Sequence, residues 1–322
     1  MRIVHLDAGD RFNGLEEAIK SFPGAELVRA ADPAALAATM PEAEILIASN
    51  RRYTADVAKA IRDNAGKLKW IQFSTSGIDG AAAQGLPSGV IVTNASGLRA
   101  FAVAEHAMAL TLGLVRRLAD VDAAKRAKEW RRDPISEKSD NLSGKHLVLV
   151  GLGAIGQDIA RKAKAFDMTV TGISRTTEAI AHVDRIRPRS EFQAAAAEAD
   201  FVCLAAISDA ATEKILSRAV IGAMKPTAFV INIARGPMID EPALIEALKQ
   251  GRIAGAGLDV AVKEPLPADH PFWTLPNVLL TPHMAGAGGP GRADGFARIF
   301  ADNLRRWVEK RPLKNVVLER TP

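Results

Sequence analysis

HLVLVGLGAIGQDIARKAKAF, His146 to Phe166, sets a short apolar run, a glycine turn and a helical pattern in that order. HLVLV has the length and β-branched character of a strand, and after the turn Ile159, Ala160, Ala163 and Phe166 recur at helical spacing. In such a unit Gly151 permits the tight turn, Gly153 lets the main chain approach a pyrophosphate, and Gly156 lets helix and strand pack closely. The phosphates then sit at the helix N-terminus. A G-x-G-x-x-G triplet also occurs in βα turns that hold nothing, so the flanks carry the reading. A dinucleotide-binding unit is expected here.

Three polar residues further along turn that expectation toward catalysis. Arg235 follows the apolar run AFVINIA, Glu264 follows GAGLDVAVK, and His283 follows VLLT and Pro282. Each therefore stands just past the C-terminal end of an expected strand, where open parallel sheets hold their ligands. Hydride transfer to a carbonyl needs a proton donor for the developing alkoxide, a fixed cation to polarise the carbonyl and hold a carboxylate, and a group that supports the donor. Histidine, arginine and glutamate can fill those roles. The bland readings are a structural histidine and a surface arginine in the turn with Gly236 and Pro237.

The chain resembles the D-isomer-specific 2-hydroxyacid dehydrogenases. The segments that carry the resemblance are VLVGLGAIGQDIARKAKAF, FVINIARGPMIDEPALIEAL and GAGLDVAVKEPLPADHPFWTLPNVLLTPHMAG, with SGID at Ser76–Asp79 and VAEH at Val103–His106 as weaker echoes. The resemblance implies that Arg235 binds the substrate carboxylate and keto oxygen, that His283 is the acid/base, and that Glu264 orients and supports His283. It implies substrate-carboxylate contacts from the main chain of Ser76, Gly77 and Ile78, which could equally form an ordinary turn. Asp259 resembles the family position that meets the nicotinamide carboxamide. The expected cofactor contacts are Gly151, Gly153, Ala154, Ile155 and Gly156, then Ser174, Arg175 and Thr176, then Ile207, Thr212, Ile233, Ala234, Asp259, His283 and Gly286. His106, on an apolar helix, reads as a packed or capping histidine. Relatives often carry Asn or His near the start of the linking helix where this chain has Arg99, which either selects an anionic tail or faces water.

The cofactor is read from the end of the second strand of the nucleotide unit. An NAD site usually puts a carboxylate there, against the ribose 2′-hydroxyl. This chain has Ser174, Arg175 and Thr176 after TVTGI and no acid until Glu178. A guanidinium and two hydroxyls suit a phosphate. NADP(H) is the expected cofactor, with NAD(H) left open.

The fold class expected is α/β, with a Rossmann-type nucleotide-binding domain at 99–286 inserted into a smaller flavodoxin-like substrate domain at 1–98 plus 287–322. Short apolar runs alternate with helical stretches throughout: RIVHL, ELVRA, EILIAS, LKWIQF and VIVTNA in the first hundred residues, then HLVLV, TVTGI, FVCLAA, AFVINI, GAGLDV and VLLT. Residues 99–118 read as one long helix and Glu129–Lys145 as a loop. FARIFADNLRRWVEK marks an amphipathic helix through Phe296, Ile299, Phe300, Leu304 and Trp307. In the family this helix returns to the first domain, the cleft between domains holds both ligands, and the chains pair as homodimers around the linking helix and the loop after it.

With 322 residues the chain exceeds the usual single-domain size. A net charge of +5 mildly favours anionic ligands. The basic pairs at Arg51, Arg116, Arg131 and Arg305 are dispersed, so no nucleic-acid partner is expected. Cys203, the single cysteine, lies in an apolar run and rules out an intrachain disulfide. No run reaches the ~18 apolar residues of a membrane span. The six histidines are scattered, giving little support for a metal. A cytoplasmic enzyme is expected, reducing a small 2-oxoacid such as glyoxylate or hydroxypyruvate to its D-2-hydroxyacid. The alternatives are an enzyme like D-3-phosphoglycerate dehydrogenase and a dinucleotide-sensing scaffold like the C-terminal binding protein co-repressors.

Overall fold

A computed structural model describes residues 1–7, 12, 14–288 and 292–318; the middle of the glycine run after Gly286 and the last four residues lie outside them. The chain divides into two compact units, Met1–Arg99 with Gly288–Pro322, and Ala100–Ala287.

The first unit is built on six strands, β1 (Arg2–Leu6), β2 (Glu26–Ala30), β3 (Ile45–Ala48), β4 (Trp70–Phe73), β5 (Ile91–Thr93) and, from the far end of the chain, β13 (Val316–Leu318). Their order is β13-β5-β4-β3-β1-β2, parallel except for β13. The parallel part is the doubly wound flavodoxin-like order. Alternate residues of one strand feed opposite faces of the sheet: Val4, Leu46 and Ile71 join one core, Ile3, Ile45, Ile47 and Trp70 the other. The helix Arg292–Val308 closes the second face, with Phe300 stacked 5.4 Å from Trp70. A buried polar chain ties this helix down: Trp70 Nε1 donates to Thr93 Oγ1 at 2.7 Å, and Gln72 Oε1 accepts from Thr93 at 2.8 Å and from Asn303 Nδ2 at 3.1 Å.

The second unit carries β6 (His146–Val150), β7 (Thr169–Ser174), β8 (Arg185–Pro188), β9 (Phe201–Leu204), β10 (Phe229–Asn232), β11 (Gly255–Leu258) and β12 (Val278–Leu280). All are parallel, in the order β12-β11-β10-β9-β6-β7-β8. That is the Rossmann order, and the direction of winding reverses between β6 and β9. The linking helix Ala100–Val115 packs on this sheet so closely that a Cβ at Gly257 would stand 2.9 Å from Leu110 Cβ.

Two expectations are corrected. The helix expected over 99–118 ends at Val115, because Arg117 adopts φ 55°, and a separate helix follows at Leu118–Ala127. The polar stretch 129–145 includes the short helix Arg132–Ser136, in which Pro134 occupies the first turn, where its missing N–H costs nothing. The strands β8 and β13 were hidden as well: RIRP has one apolar residue between two arginines, and VVL is only three residues long.

Candidate active site

The chain leaves β6 through the glycine turn at the point where the winding reverses. Gly151 has φ 96°, and a Cβ there would lie 2.5 Å from Ala206 Cα, in the loop after β9. A Cβ at Gly156 would lie 2.0 Å from the Gly151 carbonyl oxygen. Neither position accepts a side chain. Gly153 is the N-cap of the helix Ala154–Ala165 and supplies no side-chain cap, with nothing within 4 Å of where a Cβ would stand. The first-turn amides are thus left for an anion, and a pyrophosphate fits them. Ala154 is exposed and Ile155 half-buried against the core.

At the end of β7, Ser174 is half-buried and its hydroxyl accepts from Thr176 N–H at 3.3 Å, while Arg175 and Thr176 are exposed. Ile207 is 81% exposed on the loop after β9. Thr212, expected on the cofactor face, is fully buried; its hydroxyl donates to the Ile207 carbonyl at 2.8 Å and shapes the loop that presents Ile207. Cys203, buried beneath this edge, has its thiol pushed up to about 12 by burial. Alkylating reagents at mildly alkaline pH are expected to label it only after unfolding, because the thiolate is the nucleophile; labelling of the native protein at the rate of a free thiol would contradict its burial.

Three neighbouring strands carry the polar residues. Asn232, Leu258 and Leu280 are register partners at the C-terminal ends of β10, β11 and β12. Adjacent strands are about 4.8 Å apart, so the loops bearing Arg235, Glu264 and His283 rise side by side from one sheet edge. Asn232, fully buried, builds the first loop: its Nδ2 donates to the Arg235 carbonyl at 2.9 Å and its Oδ1 accepts from Ala234 N–H at 3.0 Å. Ile233 and Ala234 are buried there, and Arg235 is half-buried with Nη1 on the Ala234 carbonyl at 2.7 Å.

His283 Nδ1 lies 2.6 Å from Glu264 Oε2, and Glu264 Oε1 accepts from Ala261 N–H at 3.1 Å. The two side chains are 48% and 38% exposed, so Nδ1 is engaged while Nε2 remains for a ligand. The main chain at His283 is held at φ 50°, a left-handed conformation that costs an ordinary residue about 1–2 kcal/mol. Asp259 offsets that cost. It is 1% exposed; its Oδ1 accepts from Thr281 Oγ1 at 2.6 Å and Met284 N–H at 2.9 Å, its Oδ2 from Ala285 N–H at 2.9 Å, and its carbonyl from His283 N–H at 2.7 Å. Because the Thr281 hydroxyl donates to Asp259, it accepts from His106 Nε2, 2.9 Å away on the linking helix. Gly286 closes the same turn, half-buried.

Sequence reasoning missed Asn232, and it missed that Asp259 and His106 build the turn under His283. Asn232 left a signal, an amide inside an apolar strand. In the first unit, Ser76, Gly77 and Ile78 occupy the turn between β4 and the helix Asp79–Gln84; Ser76 Oγ donates to the Ala95 carbonyl at 3.1 Å. Arg99 Nη1 donates to the Gly288 carbonyl at 2.8 Å. Among the described residues no group of His, Cys, Asp or Glu could hold a metal ion, and no helix is long and apolar enough to cross a membrane.

The sequence profile of the D-isomer specific 2-hydroxyacid dehydrogenase NAD-binding domain matches residues 108–285. A glyoxylate reductase of Thermococcus litoralis is 37% identical over 257 residues, 78% of this chain and 77% of the relative. A crystal structure of a D-isomer specific 2-hydroxyacid dehydrogenase family protein from Aeromonas salmonicida superposes with a TM-score of 0.85 at 28% identity, covering 98% of each chain. A D-isomer specific 2-hydroxyacid dehydrogenase from Xanthobacter autotrophicus, solved with NADPH and MES, has a TM-score of 0.81 at 25% identity, again covering 98% of each chain. With its glycine turn, its Rossmann strand order and these likenesses, the chain belongs to the D-isomer specific 2-hydroxyacid dehydrogenases, a family of nicotinamide-dependent oxidoreductases.

Proposed function

We propose that this dehydrogenase reduces a small 2-oxoacid, glyoxylate or hydroxypyruvate, to the D-2-hydroxyacid, with NADPH preferred over NADH. The observation that carries the reading is the 2.6 Å contact of His283 Nδ1 with Glu264 Oε2, which leaves Nε2 as the proton-exchanging nitrogen beside the Arg235 loop. A nicotinamide cofactor held at the Gly151–Gly156 turn would supply, when bound, the hydride for the oxoacid carbonyl carbon. Arg235 holds the carboxylate and polarises the keto oxygen through its planar fork. His283 delivers its Nε2 proton to the oxygen that becomes the hydroxyl, and Glu264 steadies the ring and its positive charge before that transfer. In the oxidative direction the same nitrogen takes the proton back.

The substrate class draws support from the glyoxylate reductase likeness. Assaying glyoxylate, hydroxypyruvate and 3-phosphohydroxypyruvate with both cofactors tests it. The first two are expected to turn over. A bound cofactor with no turnover on any oxoacid would favour the scaffold alternative.

NADPH preference rests on Arg175 and Thr176 standing exposed at the end of β7 with Ser174 beneath them. Hydrogen bonds to a charged group contribute about 1.5–3 kcal/mol, so Arg175→Asp is expected to lower the NADPH-to-NADH ratio of kcat/KM by about 10–100-fold. An unchanged ratio would remove the basis for the preference.

The homodimer belongs to the same reading. Its support is apolar surface on the helix Leu118–Ala127 and the segment after it: Leu118, Val121 and Trp130 are exposed, Trp130 at 95%. Sedimentation at micromolar concentration is expected to return twice the chain mass; a monomer would refute it. A cytoplasmic setting is supported by the one cysteine, Cys203, being free and buried.

A further inference from the structure

The peptide unit joining Ala261 to Val262 is where three elements of the second unit meet. Gly236, next to Arg235, lies against it so tightly that a Cβ would stand 2.0 Å from Ala261 C and 2.3 Å from Val262 N. On one side Ala261 N–H donates to Glu264 Oε1 at 3.1 Å. On the other, Val262 N–H donates to Glu241 Oε2 at 3.2 Å. Glu241 opens the helix Glu241–Lys249 but is not its cap: Asp240 fills that role, accepting from Ala243 N–H at 3.1 Å. The carboxylate of Glu241 is thereby free to reach across, and its Oε1 meets His270 Nε2 at 3.2 Å.

His270 has a defined orientation. Its Nδ1 accepts from Phe272 N–H at 3.3 Å, so the ring proton belongs on Nε2, where it is donated to Glu241. His270 and Glu241 are only 15% and 18% exposed, and the His270 ring packs 4.7 Å from Phe272, itself in the core. The loop this pair touches is otherwise open: Val262, Lys263 and Glu264 are all exposed, so apolar burial does not fix their height. What fixes it is a carboxylate on each of two successive amides and the Gly236 contact beneath.

The geometry points to Glu241 as a positioning residue for the reaction, oriented by His270 and acting through the Ala261–Val262 peptide to keep the Arg235 turn and the Glu264 carboxylate in register. This rests on the roles proposed above for Arg235, Glu264 and His283. Catalytic alignment tolerates little error, since a displacement of about 1 Å can cost about 10²-fold in rate. Glu241 touches neither substrate nor cofactor in this assignment.

The test compares Glu241→Ala, Glu241→Gln, His270→Gln and His283→Gln with the parent enzyme, reading kcat, KM for the oxoacid, the NADPH dissociation constant, thermal midpoint and the downfield proton resonance of the His283 Nδ1–H. That resonance is identified by its loss in His283→Gln. Glu241→Ala is expected to lower kcat about 10–100-fold with NADPH binding intact, and to move or broaden the resonance. Glu241→Gln should recover only part of both: its amide oxygen can still accept from Val262 N–H, but its NH2 then faces the His270 Nε2–H donor. If the alanine variant does not fold, His270→Gln gives the second reading: a smaller kcat loss with the same spectral change. An unaltered kcat and resonance, or a kcat loss matched by an equal loss of folded, NADPH-binding protein, would overturn the assignment. Should His283→Gln retain parental turnover, the proposed function fails and the Glu241 assignment with it; should His283→Gln be inactive while the Glu241 variants remain fully active, only the latter fails.

Discussion

Replacing His283 with Ala is expected to lower kcat by about 10²–10⁴-fold in both reaction directions, the usual contribution of a positioned acid/base, or about 3–5.5 kcal/mol of transition-state stabilisation. NADPH affinity should stay close to that of the parent enzyme. The two effects should separate because the pyrophosphate site proposed for Gly151, Gly153 and Gly156 follows β6, whereas His283 follows β12, at the far edge of the same sheet. Glu264→Gln should be milder than His283→Ala. An amide oxygen can still accept from His283 Nδ1–H but carries no charge to balance an imidazolium. Stopped-flow oxidation of NADPH with glyoxylate, beside fluorescence titration of the cofactor, measures both quantities. A variant that loses cofactor binding but keeps its turnover number would show that His283 serves the nucleotide and not the proton.

Arg235→Lys is the second large effect, expected to cost about 10²–10³-fold in kcat/KM although the formal charge is kept. The guanidinium presents a rigid fork that can engage a carboxylate and the adjacent carbonyl at once; an ammonium on a flexible stem cannot match both. The main-chain turn that carries Arg235 is closely held. Asn232 is spent, fully buried, on the turn, and Gly236 allows the turn to lie on the Ala261–Val262 peptide. The loss should fall on kcat as well as KM, since the polarised carbonyl matters most as charge develops on oxygen. If Arg235→Lys raised KM alone, Arg235 would be a binding residue without a part in the chemistry.

Much of this was legible in the sequence because it is local. The glycine turn with its flanks, and the parallel strands of the second sheet, appear as short apolar runs that need no knowledge of what they pack against. The positions of Arg235, Glu264 and His283 just beyond such runs follow from the same pattern. What the pattern hid is long-range or weakly apolar. RIRP of β8 is an edge strand with arginines at alternate positions, and the helix Leu118–Ala127 is separated from its predecessor only by the unusual conformation of Arg117. The support of the His283 turn joins Asp259, Thr281 and His106, residues up to 175 apart in sequence, and no spacing rule connects them. Thr212 shows the converse: a polar residue at a plausible place in the chain whose hydroxyl is used up inside its own loop.

The most direct test is a crystal structure with NADPH and oxamate, an unreactive mimic of a 2-oxoacid. His283 Nε2 and the Arg235 guanidinium are both expected within about 2.6–3.2 Å of the oxamate carbonyl oxygen, with Glu264 still on Nδ1. An oxamate oxygen held by other groups, with Nε2 turned away from it, would contradict the account.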